Sequence, residues 1–185
     1  MQRVSVVLFL LLSLLMLPAI ANAQQSSPQS DRLFSLVSKR LQVMKNFAAF
    51  KALHHMPVED LQREKLELAA TAELSARYKV DPASAQDFLL AQVAAAKAIQ
   101  YRWRAYWQTG NIDFTPPDLY IKLRPDLMRL NESILEALHQ LLEVRGPVDD
   151  GLWPSFEKAT KVPMLTLKDQ KQLFNALKEV RLSTH

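Results

Sequence analysis

An all-α fold is predicted by three features of this chain: only three Gly in 185 residues, an abundance of Ala and Leu, and apolar positions that recur at helical spacing. A β-rich domain needs more turn residues and more Val, Ile and Thr.

Residues 1–23 read as an export signal rather than as part of that fold. Arg3 supplies a positive start, residues 4–17 are an apolar run, Pro18 breaks it, and Ala21-Asn22-Ala23 offers the small residues a signal peptidase requires. The run falls short of the roughly 20 apolar residues that span a bilayer, and no later segment approaches that length. The mature chain is therefore expected to begin near Gln24, after cleavage at Ala23, in the periplasm or outside the cell, with no stable membrane anchoring. Residues 24–30 read as a disordered polar leader, and 31–185 as one domain.

The expected elements follow in order. Helix one covers about 31–54, with Ser30 or Asp31 as its cap and Pro57 beyond its end. Helix two starts at the Pro57-Val58-Glu59-Asp60 entry and runs to about Tyr78. Helix three opens at Asp81-Pro82, a cap followed by proline, and continues to about Trp107. A loop carries Thr109-Gly110-Asn111 and Pro116-Pro117-Asp118. Helix four covers about 119–144, with a bend at Pro125, and Gly146-Pro147 ends it. Shorter helices over 152–160 and 167–182 complete a bundle of about six.

Charge and composition narrow the partners. Losing Arg3 with the signal takes the formal charge from +4 to +3. The sequence pI is about 9.4, yet the basic residues are interleaved with acids, and an exported protein rarely meets nucleic acid. A small anionic ligand fits better. With no Cys, disulfide and thiol chemistry are excluded, and the fold stands on packing alone.

Helix one carries the informative pattern. Leu33, Val37, Arg40, Met44, Phe47 and Lys51 are spaced by 4, 3, 4, 3 and 4, one stripe of the kind that faces a bundle core. Burying an unpaired cation costs several kcal/mol. Arg40 and Lys51 thus either reach the bundle edge or meet an acid or a bound anion. On helix two, Asp60, Arg63, Glu64 and Glu67 share a face, as an ion-paired solvent surface or as a polar wall. Gln92, Ala96 and Gln100 do the same on helix three, where a Gln beside an apolar stripe can be a neutral donor. His54-His55 matches no metal pattern, no nucleophile-elbow sequence is present, and Trp103, Tyr106 and Trp107 read as packing residues.

Together these residues resemble an all-helical chorismate mutase over about 33–131. The correspondence is Arg40-Leu41, then Ala48-Ala49-Phe50-Lys51, then Asp60-Leu61-Gln62-Arg63-Glu64 nine residues after the lysine, and later Gln100. The signal, the Pro116-Pro117-Asp118-Leu119 loop and the extra C-terminal helices resemble the secreted, gamma-type subclass. That resemblance implies an isomerase that rearranges the dianion chorismate to prephenate, a step of aromatic amino-acid biosynthesis, with no cofactor, metal or covalent intermediate. It implies that Arg40, Arg63 and Arg124 bind carboxylates, that Lys51 and Gln100 stabilise the ether oxygen, and that Asp60 and Glu64 orient cations or hold the ring hydroxyl, with Glu67 a lesser candidate. Lys122 or Arg129 are alternatives to Arg124, and Ala96 stands where relatives often carry a hydroxyl. An isochorismate pyruvate lyase of related fold and a non-enzymatic exported binding protein are the rival readings. Monomer and homodimer both remain open.

Overall fold

A computed structural model of the chain describes residues 27–184. The expected signal and the first three residues of the expected leader lie outside the described residues. Among the described residues the architecture is all-helical: α1 (Pro28–Gln42), α2 (Met44–Leu53), α3 (Leu61–Arg77), α4 (Pro82–Trp107), α5 (Arg124–Arg145), α6 (Trp153–Ala159) and α7 (Leu167–Lys178). The first two form one bent rod, which gives six rods.

Helix α1 starts earlier than expected, because Ser27 rather than Ser30 caps it. The Ser27 side chain accepts from the Ser30 backbone N–H at 3.2 Å, and Ser30 Oγ accepts from the Ser27 N–H at 2.7 Å. Residues 28–30 are therefore helical, not leader. The expected single rod is interrupted at Val43, whose N–H turns toward both Lys39 and Leu41 carbonyls. The stripe survives the bend. Leu33, Val37, Arg40, Met44, Phe47 and Lys51 are all buried.

Helix α3 begins at Leu61, four residues after the expected start. Asp60 is its cap, with Oδ1 accepting from the Arg63 N–H at 3.1 Å, while Pro57-Val58-Glu59 remains non-helical. Helix α4 matches its expected span, with Asp81 as cap and Pro82 in the first turn.

The fourth rod opens with a π-helical turn at Leu119–Leu123, capped by the Asp118 carboxylate. Its carbonyl register is widened just before Pro125, which has no N–H to offer an α-helical bond. Arg124 sits at that junction. The last helix ends at Lys178 rather than running to 182. Residues beyond it extend, and Leu182 forms an isolated antiparallel bridge with Val80. Lys79, at φ +54°, exposes its carbonyl to the Ser183 N–H at 3.0 Å, while the buried Val80 and Val180 anchor the tail.

The core lies between α1 and α5, sealed by α6 and α7. Phe34 meets the Phe156 ring edge-on at 5.2 Å, and Phe156 packs on Phe174 at 5.1 Å. At the other end, α2 and α3 both pack against α4. Trp103 is partly buried against the core, whereas Tyr106 is exposed.

Candidate active site

A cavity of about 70 Å³ opens where α2, α3, α4 and the start of α5 converge. Its walls include Arg40, Lys51, Asp60, Arg63, Glu64, Glu67, Gln100 and Arg124, which the sequence had separated over 85 positions. Met44, Phe47, Val93 and Leu127 provide apolar surface between them.

Arg40 is the most deeply placed, at 1 % exposure. Nε donates to Asn131 Oδ1 at 2.9 Å, and Nη1 reaches the Gln92 carbonyl at 3.4 Å. Burial lowers its pKa from the usual arginine value, against the attraction of the Glu67 carboxylate. Lys51, also buried, donates from Nζ to the Val58 carbonyl at 2.5 Å. Desolvation lowers its pKa, Asp60 and Glu64 oppose that, and Arg124 and Arg104 add to it.

The remaining cations are held by carboxylates. Arg63 Nε meets Glu67 at 3.2 Å, and Arg124 Nη2 meets Asp60 Oδ2 at 2.7 Å. The Arg124 guanidinium also lies over the Tyr120 ring, 4.7 Å from its centroid. Asp60 therefore uses one oxygen to cap α3 and the other to tie that cap to α5. Lys122 and Arg129, the alternatives to Arg124, do not line the cavity; both are exposed and pair with Asp126.

Gln100 is buried in the cavity wall, and its Nε2 faces the Ala96 carbonyl at 3.3 Å and Met44 Sδ at 3.6 Å. Its Oε1 has no partner among the described residues. The amide thus presents an acceptor, and presenting a donor requires rotation about its last torsion. Gln92 is buried but outside the wall, contributing its backbone carbonyl to Arg40. His54 stacks on Phe50 at 4.1 Å.

Sequence reasoning missed two side chains here. Lys97 lines the cavity and holds Glu64 through Nζ at 3.2 and 3.3 Å. Its position three residues before Gln100, one side of the same helix face, was a usable signal. Asn131 lies about two helical turns along α5 from Arg124, and nothing in its own type marks it as a partner for Arg40.

Comparison with known proteins bears on the family and the fold. The family model "Chorismate mutase type II" matches residues 30–101. A monofunctional chorismate mutase of Enterobacter agglomerans is 31% identical over 169 residues, covering 91% of this chain and 93% of that protein. A secreted chorismate mutase of Yersinia pestis is 31% identical over 155 residues, 83% of each chain. The crystal structure of the Yersinia pestis secreted enzyme superposes with a TM-score of 0.77 at 28% identity, over 82% of this chain and 98% of that one. A chorismate mutase structure from Burkholderia thailandensis gives 0.68 at 28% identity, over 83% and 99%. On the strength of likenesses that span most of each chain and of the helical bundle that carries the cationic cavity, the chain belongs to the chorismate mutase type II family.

Proposed function

We propose that this protein rearranges chorismate to prephenate by holding the substrate dianion in its reactive fold. The observation that carries the reading is the charge of the cavity wall. Arg40, Lys51, Arg63, Lys97 and Arg124 face Asp60, Glu64 and Glu67, which leaves a surplus of two positive charges for a ligand bearing two negative ones.

The reaction breaks one C–O bond and forms one C–C bond within a single molecule, so it needs neither a nucleophile nor a base. What it needs is conformational restriction and charge stabilisation. Arg40, Arg63 and Arg124 suit the two carboxylates, because the forked guanidinium binds a carboxylate through two donors. A dianion enters by taking over cations now paired with Glu67 and Asp60. As the C–O bond breaks, negative charge gathers on the ether oxygen. Lys51 and a rotated Gln100 amide supply an ammonium and a neutral N–H there, and both bind the transition state more strongly than the ground state. Asp60 and Glu64 orient Arg124 and Lys97 and accept from the ring hydroxyl.

Export is part of the same reading. The signal-like residues 1–23 and the likeness to a secreted enzyme support a mature protein from about Gln24 in the periplasm or outside the cell. Two experiments test these statements. Product identification by NMR should give prephenate from chorismate, and pyruvate from isochorismate instead would favour a lyase. The mass of protein recovered from the periplasm should match a start at Gln24; a retained signal would refute cleavage.

A further inference from the structure

Arg63 pairs with Glu67 one turn along α3, and Lys97 and Arg124 each have a carboxylate partner on another element of the cavity wall. Arg40 is more deeply buried than any of them, yet among the described residues it makes no ion pair within 4 Å. Its side-chain neighbour is the amide of Asn131, at 2.9 Å from Nε, and its other bond is to a backbone carbonyl. A guanidinium carries five N–H donors and is not deprotonated in proteins. Two protein contacts therefore leave donors unanswered inside the fold, and the charge meets no carboxylate nearer than Glu67, which attracts it from beyond 4 Å.

We propose that Asn131 is a positioning residue whose neutrality matters: its amide oxygen fixes the plane of the Arg40 guanidinium without cancelling the charge. A carboxylate at the same place would accept the same hydrogen bond and hold Arg40 in the same pose. It would also supply the counter-charge that the buried cation otherwise draws from a ligand carboxylate. Asparagine orients; aspartate would orient and quench. The proposal rests on the reading that Arg40 receives a substrate carboxylate, and it adds a residue on α5, outside the cavity wall, that sets how strongly Arg40 does so.

Asn131→Asp separates this role from a structural one, because stability and substrate binding should move in opposite directions. The Asp variant of the mature protein should melt at or above the parent temperature, since a carboxylate meets a buried cation. Its KM for chorismate should rise at least tenfold with a smaller change in kcat. Asn131→Leu, which removes the acceptor, should lower both the melting temperature and kcat/KM. The proposal is overturned by an Asp variant with parental KM, by one that melts earlier than the parent, or by a Leu variant with parental kinetics. Parent protein with no turnover of chorismate sinks the mutase reading instead, and the melting comparison of the Asp variant then still decides whether residue 131 governs the charge balance of Arg40.

Discussion

Replacing Arg40 by Met should stabilise or leave unchanged the fold while removing most of the activity. The guanidinium is 1 % exposed and bonded only to neutral acceptors, so the folded state bears its desolvation. For a buried ion that penalty is effectively several kcal/mol. Methionine fills comparable space along the same stripe and removes the charge. It also orphans the Asn131 acceptor, which returns about 1–3 kcal/mol of instability. The net expectation is a gain between about 0 and 2 kcal/mol. In a chain of this length that corresponds to a melting temperature between unchanged and about 8 °C higher. The double variant Arg40→Met with Asn131→Leu should lie at the upper end, because the orphan is gone. Loss of a buried charge contact to a carboxylate costs about 2–5 kcal/mol of binding, so kcat/KM should fall roughly thirtyfold or more. Thermal melts followed by circular dichroism, alongside chorismate kinetics, measure both. A melting temperature that drops in step with activity would mean Arg40 is there for packing, and the reasoning fails.

Three further outcomes follow from the same geometry. Lys51 has a lowered pKa through burial, so between that value and the ordinary lysine value near 10.4 the folded chain holds fewer protons than the unfolded one. Over that window stability should rise with pH while activity falls, and a bound dianion should move the kcat limb to higher pH than the kcat/KM limb; parallel limbs would remove Lys51 from the site. Gln100→Glu should make activity fall as pH rises, because only a protonated carboxyl can donate to the ether oxygen, whereas the parent should be nearly flat across roughly pH 5.5 to 8. A Glu variant whose profile tracks the parent contradicts the role given to residue 100. Asp60→Asn keeps a competent cap and should change melting little, but it releases Arg124 and should raise KM, while Asp60→Ala should in addition lose about 1 kcal/mol of stability. An Asn variant with parental KM and parental melting would show that the cap alone matters.

Much of this molecule was legible in the sequence because periodicity carries it. The stripe from Leu33 to Lys51 put two cations on a core-facing line and left burial or escape to the edge open; both are buried. The four-residue patch from Asp60 to Glu67 marked one helix face, and that face lines the cavity. Local rules placed the start of the second helix at the Pro57 entry, ahead of its acids, and so set it too early. The structure ends the non-helical stretch at Asp60, whose second oxygen is engaged by Arg124 from 64 residues away. The contacts that use backbone carbonyls were invisible for a different reason. Val58 holds Lys51, Gln92 holds Arg40 and Ala96 holds Gln100 through atoms every residue possesses. Residue type gives no sign of them. The tail beyond Lys178 reads as helix by composition, but pairing with the backbone around Val80 overrides that preference.

The most direct test of the account is the rate of chorismate loss with the mature protein from Gln24, followed in the ultraviolet and paired with acid conversion of prephenate to phenylpyruvate. The account predicts prephenate formation far above the uncatalysed rate, unchanged by a chelator and with no added cofactor. Folded protein that leaves chorismate at its uncatalysed rate would contradict it.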